Sequence, residues 1–320
     1  MDDKFTSISP RHSLGIFVRI EMSFYKILTL LSILRPYQWV KNLLVFSGLI
    51  FSTSLFKTDV IGVSLAAFGI FCMASSGIYI LNDLRDIKAD KMHPVKMNRA
   101  IASGKVSKVS ALIILILLLI SATIFSYLLD KNFFLIIVLY IVMNTAYSFG
   151  LKKVVILDAF IVASGFLLRA FAGCIVIHVE VTPWLFICTL SLALLVSFGK
   201  RRNELNILKV DAKDHRETLQ FYNVQLLDII LTICSATAIG TYSLYTMAEE
   251  TVTRFGSQRL IMTTPFVMYG VFRYLYLIYT QNKGGDPTKL LVKDTATIIN
   301  GILWMLSVGY VIYGSVLFSS

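Results

Sequence analysis

Charge is scarce in this sequence. Asp, Glu, Lys and Arg make up 15% of its 320 residues, where an ordinary soluble domain carries roughly 25%. A conventional water-soluble enzyme is therefore excluded. Acids are the scarcer sign: 19 Asp and Glu stand against 30 Lys and Arg. The four cysteines (Cys72, Cys174, Cys188 and Cys234) show no CxxC spacing and fall inside apolar runs, so neither disulfides nor a thiolate metal site is expected. His93 has no second histidine at ligand spacing, and no nucleophile–His–acid constellation is present. Also missing are a Gly/Ser linker, a low-complexity tract and a glycine run of the dinucleotide-binding kind, so no soluble module is expected. The first 20 residues carry Asp2, Asp3, Lys4, Arg11 and Arg19 without the basic, apolar, small-residue order of a cleavable signal peptide.

Long apolar runs are what the chain has in abundance. Hydrophobic residues reach 56% and the mean hydropathy is +0.74. Crossing about 30 Å of hydrocarbon takes roughly 17 to 25 apolar residues. About nine such runs are expected, near 33–56, 61–82, 109–129, 132–149, 155–178, 183–199, 223–248, 259–280 and 295–318. Lipid cannot satisfy open backbone groups, and the runs are continuous rather than alternating. The expected fold is an all-α, polytopic bundle of about nine spans: one transmembrane domain over 31–320, after an N-terminal segment at 1–30. Its first span is the least regular, because LRPYQWVKN interrupts its start.

Lys and Arg orient the bundle. Segments 1–41, 83–108, 150–154, 200–222 and 281–294 hold 24 of the 30, against Lys57, Lys131, Arg254 and Arg259 on the other side. This predicts a cytoplasmic N-terminus, cytoplasmic long loops and Ser320 outside, as in a multi-pass protein of the cell (inner) membrane. The net charge of +11 follows from this asymmetry and requires no nucleic acid. The same basic surface suits anionic headgroups or a polyphosphate substrate.

One stretch at this edge, NDLRDIKADKMHPVKMNR (82–99), concentrates both signs of charge. On a helix, Asp86 and Asp90 lie about 60° and about 20° from Asp83, with Asn82 beside them. Three carboxylates on one face need something positive between them, and Arg85 and Lys88 project elsewhere. A hard divalent cation suits such oxygens, and Mg²⁺ commonly completes its shell with substrate phosphates. The plainer alternative is a solvated loop whose charges only set topology. Lys96 and Arg99 follow, cations of the kind a diphosphate requires. A second polar stretch, GKRRNEL (199–205), brings Lys200, Arg201 and Arg202, with Glu204 one turn beyond Lys200. It reads either as topology charge with a helical ion pair or as a phosphate clamp. YSFGLKK (147–153) adds Tyr147, Ser148 and Lys152. Asp158 and Arg169 fall inside a span, about 20° apart on the wheel and about 16 Å apart along it, so they can share a cavity but cannot pair.

NDLRDIKAD resembles the NDxxDxxxD signature of the UbiA superfamily of intramembrane prenyltransferases, and RPYQWVKN fits the same group. The resemblance runs from about Leu34 to Gly314. HPVKMNRAIASG, YSFGLKKVVILDAFIV, LLRAFAG and GKRRNEL resemble the branch that moves phosphoribose from phosphoribosyl diphosphate onto a polyprenyl phosphate. Ordinary members carry a second acidic DxxxD motif where GKRRNEL stands here, and the branch's usual Pro after the turn Arg is Ala100. The resemblance implies that Asn82, Asp83, Asp86 and Asp90 hold Mg²⁺ (or Mn²⁺) with the diphosphate. It implies that Lys200 and Arg201 act with them, and that Lys41, Lys96, Arg99, Tyr147, Lys152, Asp158, Arg202 and Glu204 contact substrate. The implied partners are phosphoribosyl diphosphate, a polyprenyl phosphate such as decaprenyl phosphate, and the membrane; homo-oligomerisation is left open. The alternative is a true prenyltransferase joining a prenyl diphosphate to an aromatic or other acceptor. A carrier for phosphorylated lipids would want the basic cavity but not three carboxylates on one face, and no inverted repeat is visible.

Overall fold

The computed structural model describes residues 29–52, 55, 57–93, 96–208, 217–281, 290 and 293–318. Residues 1–28 of the expected N-terminal segment and 209–216 of the second polar loop lie outside the described residues. Helices follow one another along the chain: α1 (Ser47–Phe51), α2 (Thr58–Arg85), α3 (Ile87–Met92), α4 (Lys108–Leu129), α5 (Lys131–Phe149), α6 (Leu157–Val176), α7 (Pro183–Leu208), α8 (Val224–Met247), α9 (Glu249–Phe255), α10 (Thr264–Gln281) and α11 (Thr295–Phe318). Among the described residues, eight helical stretches are long and apolar enough to cross a membrane. They coincide with the second to ninth expected spans.

The first expected span, 33–56, is different. Arg35 takes a left-handed φ of 53°, Pro36 opens a 3-10 helix over Pro36–Phe46, and only α1 continues it as α-helix. Side chains tie this segment down. Trp39 Nε1 donates to Ser76 Oγ at 3.0 Å, and Ser76 Oγ donates to the Leu34 carbonyl at 2.8 Å. Asn42, fully buried, donates to Cys72 Sγ and Ser75 Oγ, each at 3.2 Å. Backbone contact with α6 is close: a Cβ on Gly173 would lie 1.8 Å from the Val45 carbonyl oxygen, and one on Gly48 2.8 Å from the Gly173 oxygen. Tertiary packing thus overrides the α-helical default expected of an apolar run.

Local chemistry sets the other ends. Asp130 is the single residue between α4 and α5, and its carboxylate caps α5 by accepting from Phe133 N at 2.8 Å. Ser107 and Asn223 cap α4 and α8 in the same way. Asp294 caps α11 through Thr297 N at 3.0 Å and also accepts from Arg273 of α10; the Arg273 hydrogen bond holds its carboxyl well below the usual carboxylate range.

α6 is the axis of the bundle. Its small residues Ala159, Ala163, Gly165, Ala170, Ala172 and Gly173 are buried and let neighbours approach. On one side Phe71, Phe133, Ile137 and Tyr140 form a core with the 36–46 segment, α2 and α5; on the other, Leu195, Phe198, Leu227 and Leu231 form a second core with α7 and α8. α4, which reaches the first core through Ala122, and α11 otherwise expose Leu, Ile and Met side chains, as lipid-facing helices do.

Candidate functional site

Most of the charged residues singled out in the sequence, Arg169 excepted, gather at one end of the bundle, along a rim built by helix ends. At its head, the NDLRDIKAD helix is not continuous. α2 ends at Arg85, Asp86 takes φ −95° and ψ 11°, and α3 begins at Ile87. The hydrogen bonds Asp86 N to Asn82 O (2.9 Å) and Asp90 N to Asp86 O (2.7 Å) bridge the break, so the i, i+4 spacing survives.

The positive partners of the carboxylates come from other segments. Asp83 accepts from Arg35, which precedes the 3-10 helix, and from Arg99 Nη1 at 3.0 Å. The same Arg99 nitrogen reaches Asp90 Oδ2 at 2.7 Å and so stands between the two acids. Lys152 Nζ, on the turn after α5, donates to Asp86 Oδ1 at 2.7 Å. Arg85 lies elsewhere, stacked 4.1 Å over the Phe149 ring. Among the described residues no three of His, Cys, Asp and Glu converge on a point that could hold a metal ion. The carboxylates therefore differ in access. The side chains of Asp83 and Asp90 are 6% and 3% exposed, that of Asp86 36%. Asn82 accepts from Ser148 Oγ one turn before Asp86, which keeps its amide oxygen on the same side.

The rim continues into α6 and α7. GKRRNEL is the last turns of α7 rather than the start of a loop, because the helix runs on to Leu208. Its three cations have three fates. Arg201, 2% exposed, donates through Nε (3.0 Å) and Nη2 (2.7 Å) to Asp158 Oδ2. Tyr222 OH donates to the other Asp158 oxygen at 3.4 Å and accepts from Ile156 N at 2.7 Å; burial pushes its phenol up. Ile156 itself has a φ of 67°, a costly conformation for a β-branched residue, at the start of α6. Arg202 donates to Asp228 Oδ1 at 2.5 Å and lies 3.8 Å over the Tyr279 ring, whose hydroxyl donates to the same Asp228 oxygen at 2.8 Å. Lys200, 44% exposed, faces Glu204 in a loose ion pair at 3.8 Å.

The structure separates Asp158 from Arg169. Arg169 donates to Asn42 Oδ1 (2.6 Å), the Gly165 carbonyl (2.6 Å) and Tyr140 OH (2.9 Å), deep in the bundle. Each has its own buried network, and they do not meet. Tyr147 and Lys41 are half-buried. Lys96 N donates to His93 Nδ1 at 3.3 Å, which gives His93 a structural task in the turn. Arg35, Tyr222, Asp228 and Tyr279 were not singled out by sequence reasoning. Asp228 carried a usable signal, an acid inside an expected span.

Taken together, fold and rim define a polytopic membrane protein with alternating acids and bases at one end of a helical bundle. The chain belongs to the UbiA prenyltransferase family, whose profile matches residues 43–301. It is 30% identical to the decaprenyl-phosphate phosphoribosyltransferase of Mycolicibacterium smegmatis, over 89% of this chain and 93% of that protein. It is 29% identical to the protein of the same name from Corynebacterium glutamicum, over 88% and 85%. The fold is similar to that of a UbiA homolog from Archaeoglobus fulgidus bound to DMAPP and Mg²⁺, with a TM-score of 0.66, 18% identity, and coverage of 88% of this chain and 97% of that one.

Proposed function

We propose that this chain transfers 5-phosphoribose from phosphoribosyl diphosphate to a polyprenyl phosphate, releasing diphosphate, in cell-envelope glycan synthesis. The observation that carries the reading is the end of α7. There the sequence GKRRNEL has no second acidic pair to bind a second metal and leaves Lys200 open on its surface, and the named relatives support the reading. A lipid phosphate oxygen attacks C1 of the ribose as the bond from C1 to the diphosphate oxygen breaks. The attacking oxygen is already anionic, so no general base is needed. Positioning and charge stabilisation supply the rate.

The donor set fits a divalent cation in a limited way. Asp86 is the most open of the three carboxylates, and half-buried Asn82, whose oxygen accepts from Ser148, stands one turn before it, while Asp83 and Asp90 are engaged by arginines. One or two carboxylates with substrate phosphates suffice for Mg²⁺, which would neutralise part of the diphosphate charge; Mn²⁺ would serve in its place. Arg99, Lys152, Lys96 and Lys200 are among the cations with side chains open enough to meet a phosphate. Arg201 and Arg202 instead order the end of α7. The rim faces the cytoplasm of a cell that carries this chain in its inner membrane.

The test is direct. Purified protein is incubated with radiolabelled phosphoribosyl diphosphate, Mg²⁺ and polyprenyl phosphate, and separately with labelled prenyl diphosphate and an aromatic acceptor. Label should enter the lipid fraction in the first reaction, and EDTA should abolish it. Turnover in the second reaction alone would replace this reading with prenyl transfer.

A further inference from the structure

The three carboxylates at the head of the rim are neutralised in two different ways. Asp83 and Asp90 are buried and bridged by the planar guanidinium of Arg99, and Asp83 also accepts from Arg35. Pulling Arg99 away would strip buried Asp90 of its guanidinium and leave Asp83 with Arg35 alone, which is strongly unfavourable. Asp86 is paired with a lysine instead. The Lys152 side chain is 30% exposed and the Asp86 side chain 36%, so water reaches both ends of the 2.7 Å pair. An ion pair this open is weak, worth about 1.4- to 5-fold in an equilibrium. Its cation sits on a flexible four-carbon stem with no fixed fork. Lys152 also projects from the 3-10 turn Leu151–Lys153, where Leu151, Lys153 and Val154 are exposed, so the stem has room to swing.

We propose that Lys152 is a displaceable counter-ion: it holds Asp86 in the empty protein, yields that carboxylate to a divalent cation, and then binds a phosphate oxygen of the incoming diphosphate. The exchange keeps Asp86 neutralised throughout. It also gives one side chain opposite effects on two ligands, competing with the metal and assisting the diphosphate. The inference rests on the proposed function only in needing a substrate that carries a diphosphate.

The experiment uses full-length protein in nanodiscs, Mn²⁺ followed by electron paramagnetic resonance, and inorganic diphosphate followed by calorimetry. Lys152→Met should bind Mn²⁺ alone about 2- to 5-fold more tightly than wild type. The same variant should bind diphosphate in the presence of Mn²⁺ about 10-fold or more weakly, having lost a charge-assisted hydrogen bond. Lys153→Met makes the same charge change one residue on and should leave Mn²⁺ affinity unchanged. Asp86→Asn gives the reciprocal measurement: with Lys152 released, metal-free diphosphate binding should strengthen about 2- to 5-fold. Equal or weaker Mn²⁺ binding by Lys152→Met overturns the exchange, as does equal tightening by Lys153→Met or weaker metal-free diphosphate binding by Asp86→Asn. Both probes are shared by any diphosphate substrate, so these outcomes are independent of whether phosphoribose or a prenyl group is transferred.

Discussion

Lys200 and Arg201 are neighbours in sequence with opposite surroundings, and this sets different consequences for their loss. Arg201 makes two hydrogen bonds to Asp158 in a place water does not reach. Removing one member of a buried pair typically costs about 3–5 kcal/mol. Arg201→Ala should therefore lower the thermal midpoint in detergent sharply and reduce the folded yield. Lys200, on the exposed side of the same turn, should behave otherwise: Lys200→Ala keeps the wild-type midpoint and slows transfer roughly 10- to 150-fold, the value of one charge-assisted hydrogen bond. Thermal shift and steady-state kinetics on the two variants check this. Equal midpoints, with both variants impaired only in turnover, would return Arg201 to the substrate.

At the scale of elements, the unusual feature is the 3-10 segment Pro36–Phe46 lying on α6. It carries the Asn42 side chain that satisfies Arg169, and Arg35, which meets Asp83, immediately precedes it. The segment's backbone meets α6 at Gly173, against Val45. A methyl group there would overlap the Val45 carbonyl, which backbone cannot evade cheaply. Gly173→Ala should cost about 1–3 kcal/mol or more by overpacking, read as a lowered midpoint. Gly69→Ala is the matching control, because a Cβ at that position would meet nothing within 4 Å and alanine favours the helix. A Gly173→Ala protein as stable as wild type would show that the segment can ride up without loss.

For the molecule as a whole, the asymmetry of Lys and Arg and the antiparallel run of helices make one prediction. Lys105, exposed before α4, and Glu249, exposed at the start of α9, lie at opposite ends of the bundle. A cysteine at position 105 should react with an impermeant maleimide only from the cytoplasmic side, and one at 249 only from outside. Labelling of both from one side would break this topology. Of the native cysteines Cys72, Cys174 and Cys234 are buried, and partly exposed Cys188 is replaced by serine to remove its background.

Much of this architecture was legible in the sequence because its cause is one-dimensional. A continuous apolar run must be a helix in lipid wherever the chain folds, so eight spans appear close to their expected limits. The motifs NDLRDIKAD, YSFGLKK and GKRRNEL sit at helix ends for the same reason: charge stops a span. What the sequence could not supply was partnership. Carboxylate spacing suggested a cation between Asp83 and Asp90, but only folding brings Arg35, Arg99 and Lys152 to the three acids, two of these from 48 and 66 residues away. The same holds for Arg201, a substrate contact by motif and a buried partner of Asp158 by packing, and for the first span, where contact with Gly173 and Asn42 outweighs the local preference for α-helix. Hydrophobic length is a property of each segment alone; the neutralisation of a buried charge depends on which segments meet.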